Sequence, residues 1–423
     1  MRNWIQALSF MMMVSILSFS CSSEEQDSIV IMIGIDGLQA QAIDRVPAPN
    51  LLALAVRGVR AESMTPAMPT KTFVNFYSLA TGLYPEHHGL ISNYPYDRKL
   101  GRAFDQKTGP QEPVWWGGEP IWITAEKQGV KAGTYFWVGS EVANNDVRPT
   151  YWKPYQKGKD YKERVDEVLA LLALPKKQRL RLVTLYFSAV DTAIHEFGVG
   201  SIEEREAIAR VDRHIGDLIA GISELGLENV TNIVVVSDHG MANTADERVI
   251  NIDEALDLSP FIIPAWDRTE GPLYGAFINL YGVQDDVDNA FQKLSGLHPK
   301  MQVLRRDDLP KNYHFNHPER GPDLMLLAET GWSLYASENK LKPVPMEVAK
   351  RSVANHGYDN LHPSMQATFI AAGPAFVENK SVKPFENIEV YGLLACALNI
   401  VPAKTDGDIE RVAHILKQSC KKG

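Results

Sequence analysis

The chain alternates between short apolar runs and longer amphipathic stretches. Residues 28–35, 180–190, 232–236 and 367–371 are nearly continuous in apolar side chains. Such runs lack the alternation of a half-exposed strand and suit a strand buried on both faces. Between them, residues 49–57, 161–174, 201–225 and 285–295 read as helices. Strands alternating with helices predict an α/β fold, with a mostly parallel central sheet and helices on both faces. Ligands of such sheets bind beyond the carboxyl ends of the strands. Three of the four runs are followed there by a carboxylate: Asp36, Asp191 and Asp238. Residues 260–350 differ, being rich in Pro, Gly and Asp with weak periodicity. They are expected to form an excursion that partly caps the site.

The first segment reads as an address. Residues 1–20 combine a basic start with a short apolar core, the marks of a secretory signal. At about 1.5 Å per residue the run is too short to cross a ~30 Å bilayer core comfortably. Cys21 follows Leu17-Ser18-Phe19-Ser20, which is similar to a bacterial lipoprotein cleavage site with its leucine one position further back. Residues 21–27 are then a polar tether. The expectation is an exported protein held by a lipid on Cys21 at the periplasmic side of a bacterial membrane. The alternative is a plain secreted or periplasmic protein. Residues 28–423 are expected to form a single metal-dependent domain. Cys396 and Cys420 remain. Two readings stay open for them: a disulfide pinning the C-terminal tail, or two unrelated thiols with Cys396 buried in its apolar run.

Composition narrows the classes. The 423 residues carry 43 Lys+Arg against 52 Asp+Glu, a net charge of −9, with 45% hydrophobic and 22% charged residues. That is a globular composition, neither disordered nor a disulfide scaffold. The acidic balance supplies no general basic face for phosphates, so no polymeric nucleic acid is an expected partner.

Polar residues gather near the predicted strand ends. Asp36, Asp191, His195, Asp238, His239 and His356 make three carboxylates and three imidazoles. Taken singly, each has a bland explanation: a helix N-cap, a solvated helical pair, a turn. Together they could hold two metal ions through N and O donors, which suit Zn²⁺ best. Two such ions can clamp the attacking and leaving oxygens of a phosphoryl displacement. Thr72 follows a Pro-rich loop and precedes a helix-like run at 73–79. A hydroxyl there sits where a helix N-terminus favours an anion, and a metal on its oxygen would make it a nucleophile.

The stretch Pro69-Thr70-Lys71-Thr72-Phe73-x-Asn75, followed by Thr81-Gly82-Leu83-Tyr84-Pro85 and His88-Gly89-Leu90-Ile91-Ser92-Asn93, closely resembles the nucleotide pyrophosphatase/phosphodiesterase family of the alkaline phosphatase superfamily. Asp36-Gly37, Asp191…His195, Ser237-Asp238-His239-Gly240-Met241 and Asn355-His356-Gly357 fall in the family's order, so the resemblance spans roughly 28–400. It implies an alkaline-phosphatase-like fold and a phosphodiesterase acting on nucleotides or related small diesters. It implies one zinc held by Asp36, Thr72, Asp238 and His239, and another by Asp191, His195 and His356. Thr72 would form a covalent phospho-threonine that water then releases. Asn93 would donate to a non-bridging phosphate oxygen. Phe73, Tyr155 and Tyr186 would line the slot for a base or other leaving group, the alternative for these aromatics being core packing. The sequence departs from the family at Val74, Phe76 and Ile194, none of which is an implied ligand.

A sulfatase would need a Cys/Ser-x-Pro-x-Arg motif, and none occurs. A monoesterase of the alkaline phosphatase type uses Ser and a clamping Arg, whereas Thr72 and Asn93 stand here. A neutral amide suits a monoanionic diester better than a dianion. His87 and His88 look like a metal pair but receive no ligand role from the resemblance. Within enzymes the alternatives are a phosphonoacetate-type hydrolase or a choline-phosphodiester hydrolase on the same site. Outside enzymes the alternative is an inactive ligand-binding lipoprotein.

Overall fold

The computed structural model describes residues 28–264, 273–336 and 352–422. The expected signal, tether and Cys21 lie outside the described residues. Among the described residues no helix is long and apolar enough to cross a membrane.

Eight strands form one central sheet: β1 (Ile29–Ile35), β2 (Val59–Ala61), β3 (Ala132–Tyr135), β4 (Tyr151–Lys153), β5 (Leu182–Phe187), β6 (Thr231–Val236), β7 (Phe369–Ala372) and β8 (Lys380–Val382). Their order is β8-β2-β7-β6-β1-β5-β3-β4. All pairings are parallel except those of β7, which runs antiparallel to both β6 and β2. Among the described residues the sheet is therefore mixed, mostly parallel with a single reversed strand. An apolar run records burial and not direction, so the reversal of β7 left no mark in the pattern. β1, β5 and β6 are buried along their whole length, as continuous apolar runs require.

Two helical layers cover the sheet. Helices α1 (Pro49–Arg57), α4 (Tyr161–Leu172) and α6 (Ile202–Glu224) pack together, as do α2 (Thr72–Thr81), α3 (Ile121–Lys127) and α7 (Val390–Ala397). Local chemistry sets their starts. Asp160 caps α4 by accepting from the N–H groups of Lys162 and Glu163, and Ser201 caps α6 by accepting from that of Glu204. Cys396 is buried in α7 and is joined by a disulfide to Cys420, tying the C-terminal tail to the core.

The apolar run at 180–190 is not one element. The strand ends at Phe187 and a helix, α5 (Ala189–Phe197), begins two residues later. Asp191 thus lies in the first turn of a helix and not directly at a strand end. Buried helix turns and buried strands look alike over so few residues.

Residues 249–336 carry two three-stranded sheets, one of Val249–Asn251, Ser333–Ala336 and Leu273–Gly275, the other of Phe277–Leu280, Leu324–Ala328 and Met301–Arg305. With helix Gln284–Leu294 they enclose a second apolar cluster around Leu280, Leu294 and Leu326. Phe277 and Tyr313 pack with Met68 of the loop preceding Thr72.

Gly34 of β1 makes room for α2. A Cβ there would lie 2.6 Å from Phe76 Cε1, and the Phe76 ring meets Tyr186 and Trp137 edge-on. Gly34→Ala is expected to destabilise the protein by about 1–3 kcal/mol through overpacking. Denaturant unfolding against the parent chain measures this, and an unchanged midpoint would contradict the packing described.

Candidate active site

In-register parallel strands end at one level, and here that level is the site. Gly34 pairs with both Tyr186 and Val236, so Asp36, Ser188 and Asp238 emerge side by side. Backbone bonds lock the three loops. The Asp36 N–H donates to the Phe187 carbonyl at 2.9 Å, and the Asp191 N–H to the Asp36 carbonyl at 3.0 Å. Gly37 completes the turn with a φ of 71°, its N–H donating to Asp238 Oδ1 at 3.0 Å. A Cβ at Gly37 would press on the Asp191 backbone at 3.0 Å, so this position needs glycine both for conformation and for space.

The residues singled out in the sequence converge. His239 Nε2 stands 2.9 Å from Asp238 Oδ2, 3.4 Å from Thr72 Oγ1 and 3.6 Å from Asp36 Oδ1. Asp191 Oδ1 lies 3.4 Å from His195 Nε2 and 3.8 Å from His356 Nε2. The His239 and His356 rings stack with centroids 3.7 Å apart. Among the described residues two groups have ligand atoms mutually within 4.8 Å: Asp36, Asp238 and His239, and Asp191, His239 and His356. The second contains His239 where the resemblance implies His195. His195 borders it through Asp191.

Each imidazole is fixed by a backbone carbonyl. Nδ1 of His195 meets the Ala354 oxygen at 2.9 Å, that of His239 the Gly240 oxygen at 2.9 Å, and that of His356 the Thr70 oxygen at 2.7 Å. A carbonyl only accepts, so Nδ1 carries the proton and Nε2 offers its lone pair to the cluster. Burial holds all three rings below the ordinary histidine range, His356 well below it, which keeps them neutral.

The carboxylates show the complementary pattern. Asp36 Oδ2 accepts from the Tyr186 hydroxyl at 2.5 Å and Asp238 Oδ1 from Gly37. Their other oxygens, and Asp191 Oδ1, are buried without a hydrogen-bond partner. Burial raises the affinity of Asp36 and Asp238 for a proton, and the neighbouring carboxylates Asp238 and Asp191 add to this for Asp36. Orphaned carboxylate oxygens facing imidazole lone pairs fit a divalent cation, since unpaired buried charge is otherwise very costly.

Thr72 is the first residue of α2, after Lys71 in extended conformation. The Pro-rich loop before it is shaped by buried Asn75, whose amide donates to the carbonyls of Ala67, Pro69 and Lys71 while its oxygen accepts from the Ala67 N–H and Asn387. Lys71 is partly buried beside the cluster and donates to the His356 carbonyl at 2.9 Å, desolvation lowering its pKa to about 8. Asn93 Oδ1 accepts from the Phe73 N–H at 3.0 Å, which orients the amide and leaves Nδ2 as its available donor.

A cavity of about 590 Å³ opens beside the cluster, lined by Asp36, Thr72, Phe73, Asn93, Tyr155 and Tyr186 among others. Phe73 packs edge-on to Phe104, and half-exposed Tyr155 edge-on to Tyr186 and Phe136. Tyr186 is mostly buried, yet it joins the cavity wall to Asp36 through its hydroxyl. Sequence reasoning missed that bond. The available signal was a tyrosine hydroxyl on a buried strand, which usually finds a partner. His88 is buried against Ser78 and Leu90, and His87 pairs with Asp406; both are structural.

Residues 30–359 match the type I phosphodiesterase / nucleotide pyrophosphatase family, and the chain belongs to it. It is 36% identical over 407 residues to the venom phosphodiesterase CdcPDE of Crotalus durissus collilineatus, covering 94% of this chain and 47% of that protein. It is 35% identical over 407 residues to an uncharacterized pyrophosphatase/phosphodiesterase of Schizosaccharomyces pombe, covering 93% and 81%. The chain thus spans about half the length of the venom enzyme. Among solved structures it superimposes on murine ectonucleotide pyrophosphatase/phosphodiesterase 5, in an inactive threonine-to-alanine form in complex with AMP, with a TM-score of 0.84. Identity there is 27%, covering 92% of this chain and 100% of the murine one.

Tyr186→Phe keeps the ring and removes the bond to Asp36. It is expected to weaken retention of a divalent cation by about 10- to 100-fold, as loss of an outer partner typically does. Competition against a chromogenic chelator measures this, and an unchanged affinity would confine Tyr186 to the cavity wall.

Proposed function

We propose that this chain is an exported, zinc-dependent phosphodiesterase/nucleotide pyrophosphatase that hydrolyses small nucleotide diesters or related compounds through a phospho-threonine intermediate. The observation that carries the proposal is the Thr72 hydroxyl at a helix N-terminus, 3.4 Å from His239 Nε2 and opening onto an aromatic-lined cavity. Family membership supports the reaction class, and the AMP complex of the murine relative supports a nucleotide-sized occupant.

Two zinc ions, one on Asp36, Thr72, Asp238 and His239 and one on Asp191, His195 and His356, would supply Lewis-acid charge that lowers the Thr72 hydroxyl pKa and offsets charge at phosphorus. Thr72 Oγ1 then attacks phosphorus. A new oxygen–phosphorus bond forms as the bond to the leaving alcohol or phosphate breaks. Water hydrolyses the phospho-threonine and regenerates the hydroxyl. Asn93 Nδ2, and the Thr72 N–H at the start of α2, donate to a non-bridging oxygen. A preorganised donor of this kind is worth about 3–4 kcal/mol of barrier. Phe73 and Tyr155 offer faces for a base, with Tyr186 at the inner end of the slot. None of the described residues lining the cavity is an arginine, which favours a singly charged diester over a dianionic monoester.

The setting follows from separate features. The segment at 1–27 supports export with a lipid on Cys21 and a membrane-side location, and the Cys396–Cys420 disulfide suits an oxidising compartment. The substrate is a small molecule, with no polymeric nucleic acid required.

Purified protein is expected to cleave thymidine 5′-monophosphate p-nitrophenyl ester well ahead of p-nitrophenyl phosphate, and phosphonoacetate not at all. Cleavage of phosphonoacetate alone would establish the phosphonate reading, and of glycerophosphocholine alone the choline one. Two bound zinc ions with no turnover would favour a ligand-binding lipoprotein. Thr72→Ala is expected to lower turnover by roughly 10⁴-fold or more while zinc content stays near that of the parent. Near-parental turnover would exclude the covalent mechanism.

A further inference from the structure

The segment 277–336 supplies none of the described residues that line the cavity. It does hold the cavity's outer wall. That wall is the loop 89–117, which carries Asn93 and the lining residues Gln106, Pro110, Gln111 and Trp116. One side chain from the far segment grips both ends of the loop. Arg320 is only 5% exposed. Its Nε donates to Asp97 Oδ2 at 2.8 Å, its Nη1 to the carbonyls of Gly89 at 3.0 Å and Trp115 at 2.9 Å, and its Nη2 to the carbonyl of Val114 at 2.7 Å. The guanidinium also lies over the Trp115 ring, 4.9 Å from its centroid. Gly89, with a φ of 85°, is where the approach is tightest: a Cβ there would sit 2.6 Å from Arg320 Nη1.

The grip is reciprocal. Arg98 of the loop donates to the Gly321 carbonyl and to Asp323, each at 2.5 Å, and its N–H to the Glu319 carbonyl at 3.1 Å. The Tyr281 hydroxyl holds the Arg320 carbonyl at 2.7 Å. A planar fork aimed at four separate acceptors is something a lysine cannot reproduce. Buried with its acceptors satisfied, such an arrangement fixes position more than it adds stability. Asn93 is anchored apart from it, through the Phe73 N–H on α2.

We propose that Arg320 is a positioning residue. It sets the place of the loop wall against which the nucleoside part of a substrate rests, and so sets the preference for nucleotide diesters over small alkyl diesters. The inference rests on the reading of the site as a nucleotide phosphodiesterase.

The test compares parent, Arg320→Lys and Arg320→Ala as full chains on thymidine 5′-monophosphate p-nitrophenyl ester and on methyl p-nitrophenyl phosphate. Both present the same leaving group, and only the first reaches the wall. In both variants KM for the thymidine ester is expected to rise about 10- to 100-fold, the scale of a small misplacement acting from a distance. kcat/KM for the methyl ester stays within about threefold, so the preference collapses. Added methylguanidinium restores part of the preference in Arg320→Ala but not in Arg320→Lys. Equal losses on both esters that follow the fall in Tm would assign Arg320 to general stability and overturn the proposal. An unchanged preference would overturn it as well. Parent protein that neither cleaves the thymidine ester nor binds AMP by calorimetry would refute the functional reading and this inference with it. Parent activity with an unaltered preference would refute the inference alone.

Discussion

Two buried carboxylates, Asp36 and Asp238, with the partly buried Asp191 beside them, set the terms for the rest of the structure. Each carries an oxygen buried without a hydrogen-bond donor, and the imidazoles around them are neutral. Desolvating one ionised carboxylate costs several kcal/mol even after relaxation. Asp36 and Asp238, buried side by side, are tolerable only if they take up protons or meet a cation. The arrangement of donors around them suits the second outcome. Tyr186 and Gly37 occupy one oxygen of Asp36 and Asp238 in turn, and carbonyls hold every imidazole proton away from the cluster. What remains facing inward is a set of lone pairs.

Rigid elements keep that set in place. Parallel neighbours in register bring Asp36 and Asp238 to one level, and the turn of α5 brings in Asp191. Thr72, the proposed nucleophile, comes from outside the sheet, at the head of α2, where Asn75 folds the preceding loop against the helix. Cavity and cluster are joined at Tyr186, which belongs to both. The aromatic slot and the carboxylate–imidazole cluster are consequently one assembly, not two neighbouring ones.

Much of the central layer was legible because its signals are local. Continuous apolar runs marked β1 and β6 to within a residue and located β5, and the helical periodicity at 49–57 and 161–174 matched helices at 49–57 and 161–172. The residues that cluster were legible as a group, since chemically rare side chains recur beside those runs. The remainder depends on contacts between distant parts. The direction of β7 is fixed by its partners, and the start of α5 is hidden inside an apolar run. The strands at 249–336 are three to five residues long, too short to impose a period. Arg320 lies 231 residues from Gly89, and nothing near it in the sequence announces the contact. Phe76 is similar: it reads as a departure from a motif until Gly34 appears beneath its ring.

The carbonyl anchors of His195, His239 and His356 have a consequence for how such a protein can vary. Outer partners of metal-binding histidines are often carboxylate side chains, and those can be lost by a single substitution. Here the partners are peptide oxygens of Ala354, Gly240 and Thr70. A peptide oxygen is present whatever residue occupies the position. Ring orientation and tautomer are therefore inherited with the backbone path. The anchors themselves do not depend on the side chains at Ala354 and Thr70, and the inward-facing lone pairs persist for as long as the chain keeps its course.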